Sequence, residues 1–428
     1  MKKDQLNIEY VPISELRASE YNPRHWSRDA ITHLTESIKR YGFVDPLLVN
    51  AAPKKRGVVI GGHFRLSVAK DLGMTEVPVV YVSIPNLERE KELNIRLNKN
   101  TGEWDWEKLA ENFDIDLLQA SGFDDADLSN IFDDREVEDD KFDIEKELAK
   151  IKKPKAKLGE LYQLGTHRII CGDSTDPEVL QKLMGGKNAN SILQDPPYNI
   201  SLDYNKGVSG KGSYGGTVDD SKTDKEYEKF LRAALQNALA VTNKDAHVFT
   251  YCDQKYIWLL QTLYTELGIA NKRVCLWIKN NSSPTPHTAF NKQYEPCVYG
   301  TVGKPYLSEK VLNLSEVLNK EIGTGNSTLD DILDMIDIWM VKRLNGIDYQ
   351  HPTEKPLVLH EKALRRCTKP GDIVLDCFGG SGSLLVACEQ LKRSAYLVER
   401  EPVFVDLVVR RWEKFTGKKA MKTYAGKK

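Results

Sequence analysis

The four residues Asp195-Pro196-Pro197-Tyr198 restrict the fold of this chain more than any other feature of its sequence. They follow Ser191–Leu193, a short and mostly apolar run that predicts a buried strand. Two consecutive prolines end that strand, because proline fixes its own backbone torsion and has no amide hydrogen to give to a sheet. A carboxylate, rigid carbonyls and an aromatic ring are therefore expected at the carboxyl end of a strand, where open α/β sheets bind ligands.

These groups suit a site that holds a nucleic acid base. Carboxylate and carbonyl acceptors can fix an exocyclic amino group in the plane of the base, while an aromatic ring contacts the face of the base. For the four residues taken alone, the alternative interpretation is a proline-rich turn with a surface tyrosine.

A second pattern, near the other end of the chain, predicts a strand, a glycine turn and a helix. The strand covers Asp372–Asp376, and the turn contains Gly379, Gly380 and Gly382, which let the backbone approach a ligand closely. The strand after the helix ends at Glu399, where a carboxylate can accept hydrogen bonds from ribose hydroxyls. The spacing matches neither the dinucleotide glycine pattern nor a P-loop, so it favours a nucleoside over a polyphosphate. A glycine turn used only for packing is the alternative.

The length of 428 residues predicts two or three domains. We expect residues 1–115 to form one domain, 116–157 a helical and acidic linker, and 158–428 the domain that carries both patterns. Acidic residues crowd the stretch from Phe123 to Ala149, and such a run usually forms a solvated face or a linker.

Strands and helices alternate after residue 158, which predicts an α/β fold with a parallel sheet and helices on both of its faces. Residues 280–350 interrupt this alternation and are expected to form an inserted target-recognition region.

Charge and cysteine content exclude several classes of protein. The net charge is −1, so no overall basic field marks a nucleic-acid binder, although the tail from Arg410 to Lys428 is basic. The seven cysteines contain no C-x-x-C pair, so we expect no metal site and a reducing compartment. No run approaches the ~20 apolar residues of a membrane span. Together these features predict a cytoplasmic protein.

A glycine turn also opens a predicted helix in the N-terminal part, at Gly61-Gly62-His63-Phe64-Arg65. The amide groups at a helix N-terminus attract anions, so Gly62, His63 and Arg65 form a candidate phosphate or nucleotide site. A simple strand-to-helix turn with a surface arginine is the alternative.

The order of the motifs resembles a known family. Asp195-Pro196-Pro197-Tyr198 precedes Phe378-Gly379-Gly380-Ser381-Gly382, and His351–Pro356 lies between them. In this order they resemble the motifs of the beta-class amino-methyltransferases of DNA, as do Trp277–Lys279 and Tyr294–Pro296.

That resemblance covers roughly residues 158–416. It implies a circularly permuted, Rossmann-like sheet, S-adenosylmethionine as cofactor, and the N6 amino group of adenine in DNA as target. Aspartate at position 195 is typical of the adenine enzymes of the family, whereas serine is commoner in the N4-cytosine enzymes. N4-cytosine methylation remains an alternative, as does a DNA-binding regulator whose methyltransferase half is inactive.

The resemblance also assigns roles to individual residues. The implied catalytic residues are Asp195, Pro196, Pro197 and Tyr198. The implied cofactor-binding residues are Asp173, Thr353, Lys355, Asp376, Phe378, Gly380, Gly382 and Glu399. In this assignment Glu399 binds the ribose, Asp173 contacts the adenine, and Lys355 supports the methionine end.

Residues 7–82 resemble a second family, the ParB/sulfiredoxin-like domains, which are small α+β domains. The likeness rests on Asn22-Pro23-Arg24, on Gly42 with Pro46, and on the Gly62–Arg65 turn. Partition proteins of this family bind a cytidine nucleotide and carry Glu where His63 stands, so hydrolysis is not expected here.

A fused DNA-binding or regulatory module is the expected role of the N-terminal domain. Double-stranded DNA is the expected partner of the whole chain, a cytidine nucleotide is a candidate ligand, and a homodimer is a candidate assembly. The fused layout also resembles methyltransferases of phages and mobile elements that act without a partner endonuclease.

Overall fold

The computed structural model describes residues 7–19, 21, 26–99, 104, 106–133, 137–201, 220–278, 294–308, 338–340 and 355–423. The chain divides into two compact units, Met1–Ile131 (unit 1) and Phe132–Lys428 (unit 2). Three features singled out from the sequence lie outside the described residues: Asn22–Arg24, Thr353, and most of the predicted insertion at 280–350.

Unit 1 contains a five-stranded sheet in the order β1-β5-β3-β4-β2. Its strands are β1 (Ile8–Pro12), β2 (Arg17–Ala18), β3 (Leu47–Asn50), β4 (Val58–Gly61) and β5 (Glu76–Val82). Its helices are α1 (Arg28–Tyr41), α2 (His63–Asp71), α3 (Leu87–Lys99), α4 (Trp106–Asn112), α5 (Ile115–Ala120) and α6 (Asp125–Phe132). Alternate strand residues such as Leu47 and Val49 are fully buried, so one face of the sheet forms the core of the unit.

Unit 2 is built on a ten-stranded mixed sheet in the order β12-β10-β11-β9-β8-β13-β14-β7-β6-β15. Its strands are β6 (Leu161–Leu164), β7 (His167–Cys171), β8 (Ala189–Gln194), β9 (Thr242–Tyr251), β10 (Ala270–Ile278), β11 (Tyr294–Val302), β12 (Ile338–Met340), β13 (Ile373–Asp376), β14 (Ser394–Glu399) and β15 (Met421–Thr423). The central strands β9, β8, β13, β14 and β7 are parallel to one another.

Helices cover both faces of this sheet. They are α7 (Ile144–Ala149), α8 (Pro177–Met184), α9 (Asp224–Ala240), α10 (Ile257–Glu266), α11 (Leu357–Cys367), α12 (Ser383–Gln390) and α13 (Pro402–Thr416). Helices α11, α12 and α13 pack on one face of the sheet and form the first core with it. Helices α8, α9 and α10 pack on the other face and form the second core. Successive residues of β13 serve the two cores, because Val374 points to the first and Leu375 to the second. The predicted α/β architecture is therefore confirmed.

Part of the predicted recognition insertion belongs to the sheet. Strand β11, which lies within residues 280–350, pairs antiparallel with both β9 and β10, and Cys297 and Val298 are fully buried. The strand contains Pro296, and a proline ordinarily argues against an interior strand. For this reason the sequence pattern did not predict β11. An insertion can therefore not include residues 294–302.

The part of the acidic stretch that belongs to unit 2 packs against α13. We call residues 137–156 the strap. Ile144 and Ile151 of the strap are buried against Leu407 of α13. Asp140 of the strap binds Arg411 of α13, with Nε–Oδ2 at 2.6 Å and both side chains 2 % exposed.

A second buried ion pair lies just before the strap, where Asp133 binds Arg393. Asp133 and Asp140 thus find buried guanidinium partners, whereas Glu138, Asp139 and Glu145 of the same stretch are exposed. Residues 132–157, expected to belong to a linker, are grouped with unit 2.

Among the described helices, none is both long enough and apolar enough to cross a bilayer.

Candidate active site

The two sequence patterns meet at one edge of the large sheet. β8 ends just before Asp195, and β13 ends at Asp376. The two strands are adjacent and parallel, with Val374 opposite Ser191, so their carboxyl ends point the same way. A cavity of about 610 Å³ opens at this edge, and we call it the edge cavity. The predicted site residues that line it are Asp173, Asp195, Pro196, Pro197, Tyr198, Lys355, Phe378, Gly380 and Glu399.

On one side of the edge cavity, four polar side chains form a network around Lys355. The Lys355 ammonium donates to Asp195 Oδ2 at 2.7 Å and to the Tyr198 hydroxyl oxygen at 3.0 Å, and it lies 3.1 Å from Glu295 Oε2. The Tyr198 hydroxyl in turn donates to Glu295 Oε2 at 3.1 Å. Three of the four residues were predicted from the sequence. Glu295 was not, although it lies in the noted Tyr294–Pro296 motif.

Local structure explains how these side chains converge. Glu295 on β11 lies opposite Trp277 on β10 in the antiparallel register, and Lys355 lies just before α11. The Lys355 ammonium is 4.9 Å from the centre of the Tyr251 ring and 5.8 Å from that of Trp277. Aromatic faces stabilise a buried cation, so these two rings partly offset the cost of burying the charged lysine.

Burial and charge act in opposite directions on these groups. Burial raises the pKa of Asp195, and the nearby Lys355 ammonium partly offsets that effect. Burial alone would lower the pKa of Lys355, but Asp195 and Glu295 outweigh burial and raise it. Lys355 therefore keeps its charge at neutral pH. Asp195 Oδ1 is buried and has no hydrogen-bond partner among the described residues.

Three hydrogen bonds hold the turn that carries the prolines. The Tyr227 hydroxyl of α9 donates to the Pro197 carbonyl at 2.7 Å. Asn199 donates from its amide nitrogen to the Lys222 carbonyl at 2.9 Å, and its backbone N–H donates to Asp220 Oδ1 at 2.7 Å. These contacts fix the direction in which Tyr198 projects, and sequence reasoning missed them because they depend on tertiary packing.

Glu399 and the glycine turn form the opposite side of the edge cavity. Glu399 Oε2 accepts from the Gly380 N–H and Oε1 accepts from the Glu401 N–H, both at 2.8 Å. The carboxylate is thus oriented by backbone groups, and burial raises the pKa of Glu399 to about 7. Beside it, the Phe378 ring packs against Phe230 at 5.7 Å between ring centres. A fixed carboxylate next to an aromatic wall fits a nucleoside, with ribose hydroxyls on the one and a base against the other.

Two of the residues implied as cofactor contacts lie behind this wall. Asp376 Oδ1 accepts from the Phe378 N–H at 2.8 Å, and burial raises the pKa of Asp376 to about 8. Gly382 has a φ of +78°, and a Cβ there would lie 3.0 Å from both γ carbons of Val408. In this structure both residues shape the glycine turn rather than line the cavity.

Two further implied cofactor residues line the cavity. Asp173 accepts at Oδ1 from the Thr175 N–H at 2.9 Å, which leaves its carboxylate at the cavity wall near Glu399. Lys355 contacts Asp195 and Glu295, and its implied place at the methionine end of the cofactor stays a prediction.

The candidate nucleotide residues of unit 1 lie around the N-terminus of α2. The Ser19 N–H donates to His63 Nε2 at 3.2 Å, and the remaining nitrogen bonds the Val59 carbonyl, so both ring nitrogens are used inside the unit. Burial lowers the pKa of His63, which keeps the ring neutral. Gly62 has a φ of +92°, and Arg65 binds Asp45 and has a buried Nε without a partner among the described residues. His63 is thus a packing residue, while Arg65 borders the glycine turn.

Comparison with known proteins agrees with this geometry. The model of the DNA methylase family matches residues 189–410, just over half of the chain, and that of the ParB N-terminal domain matches residues 1–101. The type II methyltransferase M.HpaI of Haemophilus parainfluenzae is 23 % identical over 57 % of this chain and 73 % of its own length. The type II methyltransferase M2.DpnII of Streptococcus pneumoniae is 25 % identical over 58 % of this chain and 90 % of its own length.

A solved structure of the M1.HpyAVI complex with S-adenosylmethionine aligns with a TM-score of 0.40 and 21 % identity. The alignment covers 57 % of this chain and 98 % of that chain.

The motif order, the edge cavity and the extent of the family match agree on one assignment. The chain belongs to the DNA methylase family and carries a ParB-like domain at its N-terminus.

Proposed function

We propose that this chain is a site-specific DNA methyltransferase that transfers a methyl group from S-adenosylmethionine to the N6 amino group of adenine. The observation that carries the proposal is that Asp195 and Tyr198 line the same cavity as Phe378 and Glu399. A base-binding side and a nucleoside-binding side thus face one space. Aspartate at position 195 favours adenine over cytosine as the target.

The residues of the first side supply orientation and charge. When bound, S-adenosylmethionine would supply a methyl group, whose bond to sulfur breaks as its bond to nitrogen forms, so that sulfur leaves as a neutral thioether. The methylated amine then loses one proton to solvent. The adenine amine is a poor nucleophile because its lone pair is delocalised into the ring. Asp195 Oδ1 and the Pro196 carbonyl accept its two hydrogens, which directs the lone pair out of the plane and stabilises the positive charge that develops on nitrogen. Alignment in a fixed site contributes much of the remaining acceleration.

Tyr198 contacts the face of the extruded base. Its hydroxyl is held by Glu295 and Lys355, so the ring is fixed before the base arrives. The described cysteines are all buried, which agrees with a transfer that needs no thiol nucleophile. This separates the proposed chemistry from methylation at carbon 5 of cytosine.

Affinity for DNA must come mainly from contacts to phosphates. The exposed Lys272 and Arg273 at the start of β10 are candidates on the described surface. Two further candidates, Lys206 and Lys211, lie outside the described residues.

The base and the recognition sequence can be determined together. We expect chromosomal DNA from a methylation-free host that expresses this chain to contain N6-methyladenine within one short sequence. Sequencing that detects modified bases measures this, and a host that expresses Asp195→Asn is the control. N4-methylcytosine in place of N6-methyladenine would contradict the adenine assignment, and the absence of both would contradict the proposed activity.

We further propose that unit 1 is a fused DNA-binding or regulatory module with a phosphate site at Gly62 and Arg65. The support is the left-handed glycine at the start of α2, together with the Arg65 side chain, whose Nη2 lies 3.1 Å from where a Gly62 Cβ would be. His63 takes no part, because its nitrogens are used within the unit.

Titration of the full chain with cytidine triphosphate tests this site. We expect a binding heat for the wild type that disappears in Arg65→Ala, because the guanidinium supplies the charge for the phosphates. The exposed Arg40 on α1 offers a matched control as Arg40→Ala. A heat that persists in Arg65→Ala would contradict the assignment of Arg65 to the phosphates, and no heat for the wild type would contradict a cytidine nucleotide site in unit 1.

A further inference from the structure

One lysine lies between two carboxylates on the base-binding side of the edge cavity. We infer that Lys355 and Glu295 are positioning residues: Lys355 occupies one oxygen of Asp195 so that only the other is left for the target amine, and Glu295 fixes Lys355 and Tyr198 from the opposite side. This rests on the proposed function, because it assigns roles within the same site.

The hydrogen-bonding capacity of Lys355 is the first argument. An ammonium has three donors. Its three neighbours in hydrogen-bonding range are Asp195 Oδ2 at 2.7 Å, the Tyr198 hydroxyl oxygen at 3.0 Å and Glu295 Oε2 at 3.1 Å. Among the described residues these contacts occupy all three donors. Lys355 therefore acts on Asp195, Tyr198 and Glu295 as a positioning residue.

The two oxygens of Asp195 give the second argument. Oδ2 is taken by Lys355, whereas Oδ1 is buried and has no partner among the described residues. A buried acceptor without a partner is costly unless a ligand supplies the missing donor. The lysine thereby holds one oxygen and fixes the plane of the carboxylate, which leaves the other oxygen in a set direction for the amine.

Lys355 and Glu295 have opposite electrostatic effects on the pKa of Asp195. The titratable groups that face Asp195 from the surrounding elements are Lys355, Glu295, Tyr198, Tyr227, Tyr251, Cys297 and Asp376. Burial raises the pKa of Asp195, Lys355 lowers it, and Glu295 raises it. On the acidic side of the pH–turnover profile, the midpoint should therefore move in opposite directions when the lysine is removed and when the glutamate is removed. We call this side of the profile its acidic limb.

The test compares Lys355→Met, Lys355→Arg and Glu295→Gln with the wild type. Turnover on DNA is measured against pH at saturating S-adenosylmethionine, because kcat then reports groups of the enzyme–substrate complex. We expect Lys355→Met to lose turnover about 30-fold at pH 7.5 and to shift its acidic limb upward by about 1–3 pH units, the usual effect of one close charge. Glu295→Gln should shift the limb downward, and Lys355→Arg, which keeps the charge, should leave it near its wild-type position.

Calorimetric titration with S-adenosylmethionine gives a readout that does not depend on turnover. We expect all three variants to bind the cofactor within about threefold of the wild type, because both altered side chains lie on the Asp195 side of the edge cavity, opposite Glu399. Thermal unfolding of each variant shows whether it is folded; if Lys355→Met does not fold, a downward shift of the acidic limb in Glu295→Gln with an unshifted limb in Lys355→Arg still decides.

Three results would overturn the inference. The first is a cofactor affinity that falls as far as turnover in Lys355→Met, and the second is an acidic limb that moves the same way in Lys355→Met and Glu295→Gln. The third is a turnover loss that is equal at every pH, which would indicate packing alone. A wild type that methylates no DNA would instead overturn the proposed function itself, so the two failures can be told apart.

Discussion

Replacement of Asp195 with asparagine is expected to reduce methyl transfer to DNA at least about 1,000-fold, the upper range for loss of one preorganised electrostatic group. Asparagine has nearly the same shape as aspartate, but it removes the negative charge that stabilises the developing ammonium on the target amine. Affinity for S-adenosylmethionine should stay within about threefold, because Glu399 and Phe378 lie on the other side of the edge cavity. Transfer of labelled methyl groups and calorimetric titration measure the two quantities.

Asp173 supplies a matched control for this change. Its carboxylate lines the same cavity, but it lies near Arg400 on the nucleoside side. Asp173→Asn should weaken cofactor binding and leave turnover at saturating cofactor nearly unchanged. Turnover by Asp195→Asn above one-tenth of the wild-type rate would contradict the role of Asp195.

Replacement of Glu399 with glutamine should have the opposite profile, with cofactor affinity reduced at least about 100-fold. Two charge-assisted hydrogen bonds from ribose hydroxyls would be lost, each worth about 1.5–3 kcal/mol. The amide would also turn a donor toward the Gly380 or Glu401 N–H, which now donate to the carboxylate at 2.8 Å. Calorimetry measures the loss, and Glu178→Gln at an exposed carboxylate of α8 is the control.

The same residue predicts how cofactor binding depends on pH. Burial raises the pKa of Glu399 to about 7, so its carboxylate is charged above that value and protonated below it. Ribose hydroxyls donate to the charged form, and cofactor affinity should therefore weaken as the pH falls from 8 to 6, by up to about tenfold per pH unit. A wild-type affinity that is flat over this range, or a Glu399→Gln variant with the same slope, would contradict the role.

The chemistry of the two strand ends could be predicted from the sequence because it is local. Prolines at 196 and 197 end β8 wherever it lies, and the glycines after β13 bend the chain without help from distant residues. The adjacency of the strands is a different matter. Ile373 donates to the side chain of Asn190 at 3.0 Å across 183 positions of sequence, and only the family resemblance had suggested that the two regions meet.

The partners of Lys355 could not be predicted, because they depend on three separate elements. Glu295 lies on the antiparallel strand β11, which the sequence did not predict because it contains Pro296. The resemblance implied that Lys355 supports the methionine end of the cofactor, and it said nothing of a contact with Glu295. His63 shows the same limit in unit 1. A residue at the start of a helix beside a glycine turn is typical of a phosphate contact, but the structure buries this ring against Ser19 and Val59.

The strap has a consequence for how such a protein can be assembled by recombination. A crossover between residues 141 and 157 would replace both Asp140 and Asp133 with foreign residues, whereas one between residues 134 and 140 would replace Asp133 alone. Arg411 and Arg393 would then be buried without a counter-charge, at a cost of about 3–5 kcal/mol each. Arg411 also donates to the Ser381 carbonyl at 3.2 Å, so the damage would reach the glycine turn. A segment that is exchanged as a folded methyltransferase domain must therefore begin before Asp133. A crossover that exchanges the ParB-like domain must lie upstream of Asp133.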